Sequence, residues 1–170
     1  MDSQDQDSKP DVIRILMIDD DESDFFLTCV MLSKVESQKY DFQWISNYRE
    51  GLGAMLDGQY DVCLVDNHLG PDSGLELMKE AFQKGCRKPV IMMTGQGDYK
   101  IDVEAIRCGA MDYLTKGQTG TGVLERTIRH AMTHWRVLEK LKAKEEECAR
   151  LEARLEDVEN RKTKLTGKMN

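Results

Sequence analysis

Asp66 ends the apolar run Tyr60-Asp-Val-Cys-Leu-Val-Asp66, and the acidic triplet Asp19-Asp20-Asp21 ends another, Ile13-Arg-Ile-Leu-Met-Ile18. In an open parallel sheet the ligand crevice lies beyond the carboxyl ends of the strands, so two such strands bring their acids to one edge. Carboxylates packed within a few ångströms repel one another, and without a counter-charge one of them must take up a proton. A divalent cation resolves the conflict. Carboxylate and backbone oxygens without thiolates suit Mg²⁺, which keeps several waters and shares its shell with phosphate. Two further runs end in useful groups: Val90-Ile-Met-Met-Thr94 in a hydroxyl and Met111-Asp-Tyr113-Leu-Thr-Lys116 in an ammonium. A carboxylate nucleophile, a metal, a hydroxyl and an ammonium are the parts of phosphoryl transfer to Asp66. The metal and Lys116 would neutralise the equatorial oxygens while the carboxylate attacks in line. A strand-end Thr or Lys alone is ordinarily a solvated cap; it is their recurrence at the ends of successive strands that carries the reading.

These side chains need a sheet to hold them. Short apolar runs near 12–18, 41–46, 60–65, 89–93 and 110–114 alternate with helical patterns near 23–37, 48–57, 74–84, 98–108 and from 121 onward. Five β-α units in strict alternation predict a parallel sheet covered on both faces, with the nearly continuous apolar strands one, three and four at its centre. Glycines punctuate the connections: Gly74 opens a helix, Gly85 and Gly109 close two more, and Gly117, Gly120 and Gly122 surround the last strand-to-helix turn.

A chain of 170 residues with 40% apolar content has room for one domain and an appendage. The net charge of −7 is uneven, since residues 1–135 hold 14 basic and 23 acidic side chains and residues 136–170 hold 10 and 8. An acidic body argues against direct nucleic-acid binding. No run approaches the roughly 18–20 apolar residues that span a bilayer, and the Asp-rich residues 1–10 lack the features of a signal peptide, so a cytoplasmic protein without membrane attachment is expected. Five cysteines form no C-x-x-C pair and read as reduced and structural. His68, His130 and His134 make no zinc set.

From Gly122 to about Asn160 there is neither proline nor glycine, and the composition turns to Ala, Glu, Lys, Leu and Arg. With Val137 at heptad position d, the seam runs through Leu141, Lys144, Cys148, Leu151, Leu155 and Val158, with Lys162 and Leu165 beyond. A short parallel coiled coil and a homodimer through this helix follow from that seam, against the alternative of a solvated single helix. The expected organisation is a disordered segment 1–10, a domain over 11–135, a helical coiled-coil extension over 136–165 and a flexible end at 166–170.

The site motifs resemble the receiver domain of two-component response regulators, over about residues 11–135. The resemblance rests on Asp19-Asp20 after strand one, Asp66 after strand three with Gly74 eight residues on, Thr94 closing strand four, and Tyr113-Leu-Thr-Lys116 closing strand five. It implies a flavodoxin-like (βα)5 fold, an α/β five-stranded parallel sheet in the order 2-1-3-4-5 with an extended C-terminal helix. It further implies that Asp66 accepts a phosphoryl group from a sensor histidine kinase or phosphotransfer protein. Asp20, Asp66 and the backbone carbonyl of His68 would bind Mg²⁺, with Asp19 acting through water. Thr94 and Tyr113 would reorient on phosphorylation and Lys116 would contact the phosphoryl group. Such a chain is a signalling receiver rather than an enzyme, catalysing only its own phosphorylation and dephosphorylation, with its state relayed through the C-terminal helix.

Two positions depart from the family pattern. The proline after the phosphoacceptor is shifted by one in Leu69-Gly70-Pro71, and the usual Lys-Pro is Lys116-Gly117. A cis bond without proline costs about 2.5–4 kcal/mol, so a trans bond or a rearranged loop is expected there. Two other functions compete. One is a haloacid-dehalogenase-like phosphatase, which also uses an Asp nucleophile with Mg²⁺ but needs an acid where His68 stands. The other is a coiled-coil dimerising adaptor whose receiver fold is little used. A nucleotide-binding loop is excluded, because neither Thr94-Gly-Gln-Gly97 nor Lys116 to Gly122 has the G-x-x-x-x-G-K-[ST] order.

Overall fold

The computed structural model describes residues 12–95 and 99–166. The expected disordered start and the end beyond Thr166 lie outside the described residues. The chain divides into two compact units between His134 and Trp135. Strands β1 (Ile13–Ile18), β2 (Tyr40–Ile45), β3 (Val62–Asp66), β6 (Val90–Thr94) and β7 (Asp112–Thr115) form one sheet. All its pairings are parallel and its order is β2-β1-β3-β6-β7. This is the doubly wound order expected from the sequence; the labels differ only because two short strands, β4 (His68–Leu69) and β5 (Asp72–Ser73), intervene as a small antiparallel hairpin.

The alternation of side chains along each strand sorts the core into two layers. Leu16, Ile18, Cys63, Val65, Val90 and Met92 face Met55 of α2 (Tyr48–Asp57), Leu77, Met78 and Ala81 of α3 (Gly74–Gln83) and Ala105 of α4 (Tyr99–Arg107). Ile15, Met17, Val62, Leu64, Ile91 and Met93 face Leu32 of α1 (Glu22–Ser33) and Leu124, Ile128 and Met132 of α5 (Thr121–Thr166). Every residue of β3 and β6 is buried, as strands covered on both faces require. Each buried Leu, Ile or Met contributes about 1.5–3 kcal/mol, so the three central strands are rigid supports for whatever stands at their ends.

Three local details differ from the sequence expectation. Helix α1 ends at Ser33, short of residue 37, because Val35 leaves the helix to pack against the core layer of Leu32 and Ile15. The fifth strand starts at Asp112, since Gly109 at φ 106° and the Ala110 N–H to Ala105 carbonyl bond of 2.9 Å close α4 first. The β4–β5 hairpin had no period-2 signal to announce it. No helix among the described residues is long and apolar enough to cross a membrane.

Candidate phosphoryl-transfer site

The β1 ladder ends at Ile18, and Asp19 follows fully buried, its N–H bonded to the Ile45 carbonyl at 3.0 Å and its own carbonyl accepting from the Trp44 indole at 2.9 Å. These two bonds clamp the start of the acidic turn to β2. Asp20 is exposed, and its Oδ2 accepts from the Gly70 N–H at 2.8 Å, which ties the β4–β5 hairpin to the acidic turn. Gly70 makes that turn in the left-handed region at φ 63°. Asp21 leaves the site: its side chain caps α1 by accepting from the Ser23 N–H at 2.8 Å.

Asp66 ends β3, buried, and together with Asp19 and Asp20 it offers carboxylate oxygens that all lie within 4.8 Å of one another. Lys116 enters from the end of β7, where its N–H bonds the Thr94 carbonyl at 2.8 Å. Its ammonium stands 2.8 Å from Asp19 Oδ2, 2.9 Å from Asp66 Oδ2 and 2.6 Å from Asp24 Oδ2. Burial pushes the Asp19 carboxyl up to about 6 against the pull of Lys116 and of the Asp21 N–H. Burial raises Asp66 as well, again opposed by Lys116 and by the backbone N–H of His68. Lys116 shows the reverse balance: burial disfavours its charge, but Asp19, Asp24 and Asp66 outweigh that and hold it firmly protonated.

Two buried carboxylates and the half-buried Asp24 thus share a single ammonium, with Asp20 beside them. Asp19 Oδ2 is a buried oxygen whose ion-pair partner, the Lys116 ammonium at 2.8 Å, is shared with two other carboxylates. A hard divalent cation bound by oxygen fits such a donor set, because it would take up that oxygen and offset the remaining negative charge.

The other expected residues fall as follows. Thr94 is fully buried at the end of β6, and its hydroxyl donates to Asp102 Oδ1 of α4 at 2.9 Å. Tyr113, on β7, is 39% exposed. His68 sits in β4 with its side chain at the surface. Lys116 and Gly117 are joined by a trans bond, there being no cis bond among the described residues, and Gly117 relieves the turn at φ 75°. Sequence reasoning missed Asp24 and Asp102. Asp24 stands three residues after the acidic triplet, one helical turn into α1, and that spacing was the available signal; for Asp102 there was none.

A family model described as response regulator receiver domain matches residues 15–129. The regulatory protein AtoC of Escherichia coli (strain K12) is 32% identical over 103 residues, which are 61% of this chain and 22% of that protein. The transcriptional regulatory protein QseB of Escherichia coli O157:H7 is 30% identical over 104 residues, 61% of this chain and 46% of its own length. The matched region therefore spans less than half of either relative. Among solved structures, a response regulator receiver domain protein from Clostridium thermocellum superposes with a TM-score of 0.65 at 26% identity, covering 75% of this chain and 99% of that one. The signal receiver domain of a modulated diguanylate cyclase from Desulfovibrio desulfuricans G20 does so with a TM-score of 0.63 at 25% identity, over 75% and 98%. The family match runs through both strands that end in the acids and both that end in Thr94 and Lys116, and by it the chain belongs to the response regulator receiver domain family.

Proposed function

We propose that this receiver is phosphorylated on Asp66 by a sensor histidine kinase or a phosphotransfer protein, and that its phosphorylated state is read out through the C-terminal helix. The observation that carries the reading is the Lys116 ammonium standing within 3 Å of both Asp19 and Asp66 beside a cluster of three carboxylates. Asp66 attacks the phosphorus of a phosphohistidine, the O–P bond forming as the P–N bond breaks and its electron pair returns to the imidazole. Lys116 transfers its contacts from carboxylate to phosphoryl oxygens, and Thr94 donates its hydroxyl to another. Asp19, Asp20 and Asp66 would hold Mg²⁺ together with the backbone carbonyl of His68. When bound, Mg²⁺ supplies positive charge against the transferring phosphoryl group. Hydrolysis returns the carboxylate and inorganic phosphate, so the chain is a self-acting signalling protein and not an enzyme with a separate substrate.

The second unit supports the readout. Val137, Leu141, Leu151, Leu155 and Val158 recur at heptad spacing along α5 and are each 48–64% exposed in the single chain. An apolar stripe of that kind fits a parallel homodimer.

The test is incubation with acetyl phosphate and Mg²⁺ followed by intact mass. The wild type should gain one phosphoryl group and Asp66→Asn none, because an amide is no nucleophile here. Equal incorporation by both proteins would remove Asp66 from the role.

A further inference from the structure

Thr94 serves the phosphoryl-transfer site, but its buried partner Asp102 does not. Thr94 is 0% exposed and Asp102 8%, and the threonine hydroxyl donates to Asp102 Oδ1 at 2.9 Å. A hydroxyl has one proton to donate, and an ionised carboxylate only accepts. While that bond exists, Thr94 has nothing to offer a phosphoryl oxygen. Asp102 lies in the first turn of α4, and a hydrogen bond to a carboxylate acceptor is about twice as strong as one between neutral groups. The bond is therefore a strong one, and it is incompatible with an arrangement in which the same hydroxyl serves a phosphoryl oxygen.

We propose that Asp102 is a positioning residue for Thr94: its carboxylate retains the Thr94 hydroxyl and so opposes the switch of the receiver into its phosphorylated arrangement. The inference rests on the reading of Asp66 as phosphoacceptor. A phosphoryl group at Asp66 must draw the hydroxyl away from Asp102, leaving a mostly buried carboxylate short of a donor. The two states are then set by a competition between two anions for one proton. A ligand shifts such an equilibrium only by its differential affinity for the two arrangements, so weakening the Asp102 acceptor must tighten binding at Asp66.

The experiment is a fluoride titration of the full chain at fixed beryllium and Mg²⁺, beryllofluoride standing in for the phosphoryl group, followed by tryptophan fluorescence, which Trp44 ties to the Asp19 turn. Asp102→Ala should lower the half-saturating concentration about tenfold, within what one charge-assisted hydrogen bond supplies. Asp102→Asn keeps the shape and a neutral acceptor oxygen, and should lower it about threefold. Both gains should vanish in a Thr94→Ala background, where there is no hydroxyl to release; a merely structural role of Asp102 would not depend on Thr94. An unchanged half-saturation in both Asp102 variants, or a gain that persists without Thr94, overturns the proposal while leaving Asp66 in its role. A wild type that shows no response to beryllofluoride, matching Asp66→Asn, overturns both.

Discussion

Gly74 lies against Asp66 so closely that a Cβ on it would overlap the Asp66 carbonyl oxygen and stand 2.9 Å from Val65 Cγ1. The Gly74 N–H also bonds the Asn67 carbonyl at 2.8 Å, so the start of α3 folds back directly over the end of β3. The nearest obstructing atoms, the carbonyl carbon and oxygen of Asp66, are backbone and cannot rotate away. Gly74→Ala should cost about 3 kcal/mol in urea unfolding, whereas Gly53→Ala, in α2 with nothing within 4 Å of the new methyl, should gain about 0.5–1 kcal/mol. Equal midpoints for the two variants would mean that the loop can yield after all.

Lys116 is the cation on which both buried aspartates depend. Lys116→Ala should destabilise the protein by about 3–5 kcal/mol at pH 7 in the presence of a chelator, because removing one partner leaves buried charge uncompensated. Millimolar Mg²⁺ should recover a large part of that loss, since a ligand that binds only the folded state stabilises it. Asp24→Ala removes a partly exposed partner of the same ammonium and should change stability by under about 1 kcal/mol. A Lys116→Ala protein as stable as wild type in chelator would show that the ammonium does not hold the acids together.

Much of this was legible in the sequence because strands one, three and four are buried on both faces. An uninterrupted run such as Val62-Cys-Leu-Val-Asp66 has few other homes, and the polar residue that breaks it stands at a strand end. Asp19, Asp20, Asp66 and Thr94 were found that way, and Lys116 by the matching position at the end of the fifth strand. Asp24 and Asp102 were not, since an acid in the first turn of a helix is ordinarily explained by solvent and the helix dipole. Their partners lie on other elements, Lys116 at the end of β7 and Thr94 at the end of β6. The Gly70 N–H to Asp20 bond was hidden for the same reason, as it joins two loops 50 residues apart.

At the opposite end of the sheet, Arg14 grips Asp61 through Nη2 to Oδ1 at 2.9 Å and Nε to Oδ2 at 3.2 Å, and its backbone N–H adds a bond of 2.9 Å. Burial pushes the Asp61 carboxyl up, but the guanidinium and that N–H outweigh it and hold it below the usual carboxylate range. A carboxyl depressed by folding adds stability above its unfolded pKa, near 3.9, and loses it as pH falls through the folded value. Asp61→Asn should therefore be less stable than wild type at pH 7, with the gap closing below about pH 4. A gap of the same size at pH 3 and pH 7 would assign it to packing and not to charge.

Cys148 offers a test of the proposed parallel dimer. It occupies an a position on the proposed seam between Leu141 and Leu155, and it is an exposed free thiol. Cys63 and Cys86 are buried and Cys29 and Cys108 half-buried. In a parallel, in-register homodimer each a residue faces its own counterpart, so the two Cys148 side chains meet; in an antiparallel pair they separate along the helices. A short bis-maleimide at tens of micromolar protein should therefore link the chain into a covalent dimer, and Cys148→Ser should abolish the product. Leu151→Lys with Leu155→Lys places charges on the seam and should abolish it too, giving a monomer by sedimentation, as wild type should not. Wild type that sediments as a monomer, with no Cys148-dependent crosslink in the presence or absence of beryllofluoride, would remove the dimer from the readout and leave the helix as a linker.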